Sequence, residues 1–208
     1  MNTKFYSYLL MAILYISILS SSAEGVETAE YCDTLSFNAS SQEGNYTLLL
    51  FDPSLGNLVG VDLAVDLDVM QDFSLENERS NGQTIDAKSE AVLNITLPDS
   101  SSISVNASSS VSEKLEAYDG TADFKGPSGK TIEGVASRGS AEQKYTESSD
   151  FVAAIQNETI SLPAILEVSS SARGNIALSI ATFAESKICV TYTYEPADSA
   201  AQEKGEFK

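Results

Sequence analysis

The chain contains no histidine and no tryptophan, and only two cysteines and twelve basic residues among its 208 positions. Without histidine it lacks the usual general base near neutral pH and the commonest transition-metal ligand. Without tryptophan it lacks the commonest sugar-stacking platform, a role left to tyrosine. Two thiols and no histidine do not make a zinc site. There is no Gly-x-Ser-x-Gly elbow, no Cys–His pair and no phosphate loop. Thirty carboxylates offer no pair that can be singled out for glycoside hydrolysis. The expectation is a protein with no enzymatic activity, no cofactor and no metal site.

Long apolar runs are equally scarce. Lys4 precedes the one such run, Leu9 to Leu19, and Ser21-Ser22-Ala23 follows it as a small-residue cleavage site. This pattern predicts a secretory signal peptide over 1–23, cut after Ala23. The rival, a membrane anchor, is disfavoured because the run is short for a span of roughly 20 residues. The remainder carries 11 basic and 30 acidic residues, since Lys4 is the only charged side chain in the first 23. Such a surface repels nucleic acid and anionic lipid and is open to basic partners or divalent cations. The reading is thus a secreted protein, extracellular or at the cell surface, without a transmembrane anchor.

In an exported chain, Cys32 and Cys189 point to a disulfide. An intramolecular bridge would close a loop worth about 4–5 kcal/mol at the upper end of the chain-entropy model. An intermolecular bridge, which would suit a polymer, remains the alternative at this level.

Side-chain alternation is the strongest signal. Val59, Val61, Leu63, Val65, Leu67 and Val69 fall at every second position, with Asp62, Asp66 and Asp68 among the residues between. One face is branched aliphatic and the other acidic, as in a half-buried antiparallel strand. Tyr46–Phe51 reads as a central strand, and Leu35–Phe37 as a first strand after an acidic leader, Glu24–Thr34. Ala91–Leu97 and Ile103–Val111 form a hairpin across a Ser-rich turn, and Asn81-Gly82 marks another turn. Residues 112–150 read as the most irregular stretch, and Phe151–Ile155 as one helical turn. Ile160–Val168, Ile176–Ile180 and Ile188–Tyr194 are three further strands, with Pro163 implying an edge or a bulge in the first. Together these predict an all-β fold, an antiparallel β-sandwich of roughly 8–10 strands. The layout is a signal peptide (1–23), an N-terminal leader with the first strand (24–46), the sandwich domain (47–194) and a polar tail (195–208).

Five Asn-x-Ser/Thr sequons begin at Asn38, Asn45, Asn94, Asn106 and Asn157. Asn94 and Asn106 fall on the polar phase of their strands, as glycan acceptors must. Asp62, Asp66, Asp68 and Asp72 raise calcium, which favours oxygen clusters, but no calcium-loop motif is present and a solvated acidic face is the simpler reading. Ile188–Tyr194 and Leu48–Phe51 are uncharged windows of high β-propensity, able to drive strand stacking if exposed and ordinary core strands if not.

Leu50-Phe-Asp-Pro-Ser-Leu-Gly-Asn-Leu58 before an alternating strand, Ile160-Ser-Leu-Pro163 and Val190-Thr-Tyr-Thr-Tyr194 together resemble the choice-of-anchor E domain of exported microbial proteins. The resemblance runs from about Thr47 to Tyr194. It implies an extracellular β-domain and supplies no catalytic residues. Members usually carry a C-terminal surface-sorting signal, which the hydrophilic end of this chain lacks. The favoured function is a secreted structural glycoprotein that self-associates into a cell envelope layer, sheath or extracellular matrix. Amyloid-like strand pairing, as in an archaeal tubular sheath, is one version, and other envelope components or glycans are further partners. The alternative is an adhesin or carbohydrate-binding module using Tyr118 and Tyr145.

Overall fold

A computed structural model describes residues 25–38, 41–146 and 149–197. The expected signal peptide and most of the polar tail lie outside these residues. Eight strands follow in chain order: β1 (Glu27–Phe37), β2 (Ser41–Leu49), β3 (Gly56–Asn77), β4 (Gln83–Thr96), β5 (Ser102–Leu115), β6 (Gly129–Tyr145), β7 (Thr159–Ala172) and β8 (Ile176–Pro196). They form two four-stranded antiparallel sheets, β1-β8-β3-β6 and β2-β7-β4-β5. The all-β sandwich read from alternation is present. Every connection except the β4–β5 hairpin passes from one sheet to the other, so the sandwich is a jelly roll of two interleaved Greek keys.

Several local expectations are corrected. The acidic leader is not a separate leader: Glu27–Phe37 pairs with β8 along its whole length. The sandwich therefore takes in 27–46, and it runs past 194 to Pro196. The leader's weak apolar pattern is that of an edge strand, whose order comes from its ladder. Of Tyr46–Phe51, the first four residues belong to β2, which is an edge strand rather than a central one, while Leu50 lies beyond it and Phe51 makes an isolated bridge to Val152. Most of 112–150 is not irregular, because 129–145 form β6, an edge strand with little burial and therefore little periodic signal. Val59 is the extra residue of a bulge between Leu58 and Gly60, and strict alternation begins at Val61. β7 is an inner strand, but its pairing with β4 ends at Ala164, so Pro163 is paired only with Asn45 of β2. The helical turn is a 3-10 turn at Ser149–Phe151.

The two strands read at 176–180 and 188–194 are one, β8. Its inward phase passes through Thr182, Ala184 and Ser186, and those small or polar residues break the apolar signal. Thr182 belongs to a polar layer across the sandwich. Gln71 of β3 is 2% exposed; its Nε2 donates to Ser89 Oγ (2.7 Å) and Thr182 Oγ1 (3.1 Å), and its Oε1 accepts from Ser109 (2.6 Å). The layer divides the core in two. On one side lie Val69, Ala91, Ala107 and Ala184 with the larger cluster around Leu63, Leu93 and Ile188; on the other, Phe73, Leu75, Ile85 and Ala87.

At one margin the sheets converge. A Cβ on Gly139 of β6 would stand 2.2 Å from the Asn106 carbonyl oxygen of β5. Gly139→Ala is therefore expected to force backbone apart and cost about 1–3 kcal/mol by urea titration; wild-type stability would show that the margin yields freely.

Tyr46 and Tyr192 are fully buried. Burial pushes the Tyr46 hydroxyl from 10.0 up to about 12, with the Ser186 hydroxyl acting the other way, and burial also raises Tyr192. The unfolded chain then loses these protons at lower pH than the folded one. Their contribution is complete below pH 10 and falls as pH rises from 10 to about 12. Urea midpoints should drop across that window together with the appearance of tyrosinate absorbance; a flat stability profile would contradict the burial of these rings.

Candidate functional site

Cys32 and Cys189 face each other across the β1–β8 ladder and are bonded, with 4.1 Å between their Cα atoms. The intramolecular alternative is thus the one that holds. A Glu30 carboxylate oxygen lies within 4.8 Å of both sulfurs, but sulfurs joined to one another offer no thiolate to a metal.

The sequon asparagines are distributed unevenly. Asn45, Asn94 and Asn106 stand on β2, β4 and β5, all on the outer face of the second sheet. Asn45 and Asn106 are exposed; Asn94 is partly covered and accepts a hydrogen bond from Ser104 Oγ. Hydroxyls crowd the same face, where Ser110, Ser112 and Ser171 with Lys88 and Arg173 line a groove of about 660 Å³. Asn38 follows β1, and Asn157 lies in the loop before β7 at φ 61°, both exposed.

The outer face of the first sheet is different. The acidic stripe of β3 lies there with bases in register beside it. Arg138 on β6 pairs with Asp68 at 2.5 Å, Lys144 on β6 with Asp62 at 3.3 Å, and Lys187 on β8 is the register partner of Asp66. Asp72 Oδ1 accepts from the Gly134 N–H at a bulge in β6. This arrangement matches a charge ladder rather than a calcium cage, and the bases were hidden from sequence reading because they sit 70 or more positions from their partners.

Between Asp68 and Asp72 the face turns apolar. Met70 pairs with Phe183 of β8 and Ala136 of β6, and the two large side chains are 53% and 51% exposed. With Asp68, Arg138 and Glu185 they line a shallow cavity of about 280 Å³. The sequence carries a sign of Met70, which falls in the acidic phase of β3 rather than the aliphatic one. Phe183 lay in the gap between the two strands that proved to be one.

The tyrosines proposed as a sugar platform are not brought together. Tyr145 is in register with Val61 and packs against Phe151, while the Tyr118 N–H donates to the Arg79 carbonyl beyond the other end of β3. About 50 Å of strand separates those ends. Near Tyr118, the 116–128 loop closes over a buried polar group. Glu76 Oε2 accepts from the Phe124 N–H, and the Asn77 side chain donates to Asn81 and Glu116 carbonyls while accepting from Arg79 N–H and Gln83. Of the two stacking-prone windows, Ile188–Tyr194 is paired with β1 on one side and β3 on the other, and Leu48 and Leu49 end the edge strand β2.

Replacing both cysteines by alanine should lower stability by about 2–5 kcal/mol, matched by reductant on the wild type. The check is the denaturant midpoint with and without dithiothreitol; a change under about 1 kcal/mol would mean that the β1–β8 ladder holds unaided.

No helix among the described residues is long and apolar enough to cross a membrane. No family model and no curated protein matches the chain, so the resemblance to the choice-of-anchor E domain rests on the segments quoted above. Among solved structures, that of infectious bursal disease virus Gx strain is similar over 86% of this chain and 38% of its own, at 9% identity and TM-score 0.21. T=1 particles derived from infectious bursal virus are similar over 85% and 44%, at 10% identity and TM-score 0.14. The chain thus spans less than half the length of these structures, and at such scores the likeness carries no weight for function.

Proposed function

We propose that the protein is a secreted, non-enzymatic structural glycoprotein whose folded domains assemble into a cell envelope layer, sheath or extracellular matrix. The observation that carries the reading is the sorting of the two outer faces. One bears three sequons and a field of serines, suited to glycans and water. The other bears interleaved charges of both signs around an exposed apolar pair, suited to protein. The signal-peptide pattern, the cross-strand disulfide and the resemblance to an exported β-domain support the same reading. A tubular sheath of the archaeal kind is one form of such a layer. With β8 paired on both sides, any strand pairing between subunits falls to the edge strands.

Fractionation of native cells provides the test. The protein is expected in detergent-resistant envelope material, in a form whose mass falls on deglycosylation. Because its one disulfide is internal, reductant should not release it as a subunit from a covalent polymer. Recovery as free, unglycosylated monomer in the medium would overturn the proposal.

A further inference from the structure

We propose that Glu76 anchors a divalent-cation site of calcium's chemistry, closed by the 116–128 loop over one end of the first sheet. The site is separate from the Asp62–Asp72 stripe and independent of the assembly reading. It would make the loop's hold on the sheet depend on the ion.

The site begins with a buried carboxylate, one of whose two oxygens has no partner. Glu76 falls in the outward phase of β3, with Met70, Asp72 and Ser74, yet it is 0% exposed because the loop lies over it. Its Oε2 accepts from the Phe124 N–H at 2.8 Å, while Oε1 is buried and makes no hydrogen bond. No base compensates it. Its register partners are Gly129 on β6 and Ala177 on β8. Lys130, next to Gly129, is bonded to Glu113, and Arg79 and Lys125 are exposed and make no ion pair among the described residues. Taking a carboxylate out of water is costly unless donors or an opposite charge replace the solvent. One amide does so here, and the idle oxygen beneath an acidic loop is where a cation fits.

The loop brings more oxygen. Asp119 and Asp123 are exposed on it, each holding its own turn through Oδ1, with the Thr121 and Lys125 N–H groups. Asp119 Oδ2 lies against Gly126, 2.9 Å from where a Cβ on that residue would stand. Main chain and carboxylate share a small space: a Cβ on Gly129 would meet the Lys125 nitrogen at 2.2 Å and Glu76 Oε2 at 2.5 Å. The acids do not form a cage by themselves, since no three carboxylates among the described residues lie within 4.8 Å of one another. Calcium tolerates this, because it takes roughly six to eight oxygens in flexible geometry, main-chain carbonyls and water among them, whereas magnesium demands a near-regular octahedron. With no histidine and no free thiol, softer metals have no ligand here. One buried carboxylate and at most two from the loop place the affinity among the weak extracellular calcium modules, a Kd of about 0.1–1 mM.

The experiment uses the full chain after chelator treatment, with thermal unfolding by circular dichroism and titration calorimetry. Calcium chloride at about ten times its Kd should raise Tm by about 3–6 °C over sodium chloride of equal ionic strength. Glu76→Gln keeps an oxygen for the Phe124 N–H, drops the charge and should lose the calcium response. Asp119→Asn and Asp123→Asn, both on the surface, should each weaken binding several-fold, and Asp66→Asn on the stripe should not. Terbium in the site should emit on excitation of the adjacent Tyr118, and Tyr118→Phe should remove that emission while the calcium shift stays.

A wild type that does not respond to calcium would overturn the site and leave Oε1 to a buried water. A response that persists in Glu76→Gln, or that sodium chloride matches, would overturn it in favour of diffuse binding to the acidic surface. Should Glu76→Gln fail to fold, the loop variants decide: binding unchanged in both aspartate variants, with terbium emission surviving Tyr118→Phe, would overturn it equally.

Discussion

Everything in the sandwich hangs on one antiparallel ladder, β3 against β8. It runs from Gly56 opposite Pro196 to Asn77 opposite Ile176, almost the full length of both strands. β1 attaches only to the far edge of β8, and β6 only to the far edge of β3. The first sheet is therefore this pair with one strand added on each side. Its members are about 120 residues apart in sequence at Asp66 and Lys187, so the ladder forms at the cost of a large loop closure, and such topologies fold slowly. The Cys32–Cys189 bond acts on the same constraint, tying the first strand to the last once they are in register.

That register is not fixed by hydrophobic alternation alone. A slip by one residue would turn the aliphatic face of β3 outward, but a slip by two would keep it inside. The polar layer removes this freedom. Gln71 fits only opposite Ser89, Ser109 and Thr182, and a two-residue slip would set its amide among Val69- and Phe73-level apolar groups with no partner, a penalty of order 1–3 kcal/mol for each stranded polar group. The layer therefore gives up some apolar burial, splitting the core in two, and gains a unique alignment of four strands from both sheets.

The sequence was legible where a strand has one buried and one solvated face. β3, β4, β5 and the ends of β7 and β8 announce themselves by period two, and so does the sandwich class. It was opaque where burial is shallow or the inward residue is polar. β1 and β6 are edge strands with few buried side chains, and the middle of β8 turns Thr182, Ala184 and Ser186 inward. The jelly-roll order itself was beyond reach, because alternation says which face a residue takes and nothing about which strand lies beside it. For the same reason the acidic stripe could be seen in β3 while its partners Arg138, Lys144 and Lys187 could not. Gln71 is the instructive case: a polar residue in phase with Leu67, Val69 and Phe73 was readable as a buried polar group, and its meaning depended on serines far away in the chain.

How such a domain could join its neighbours is constrained by how its edges are guarded. Unpaired strand edges invite pairing unless charge, bulges or covalent ties blunt them. β1 carries Glu27, Glu30 and Asp33 and is tied to β8 by the disulfide. β6 carries Lys130, Glu133, Arg138, Glu142 and Lys144 and is kinked by the bulge at Gly134. β2 is short and bears the Asn45 sequon. β5 is nearly uncharged, but it closes against β6 where Gly139 meets Asn106. The edges are thus each defended by a different device, whereas the broad face of β8, β3 and β6 displays an undefended apolar pair. A chain with 30 acidic and 12 basic residues repels its own copies at a distance. Any contact between copies in the proposed layer has to overcome that repulsion, and the levels flanking Met70 and Phe183, with Asp68, Glu185, Asp72 and Glu133 against Arg138, do not by themselves offset it.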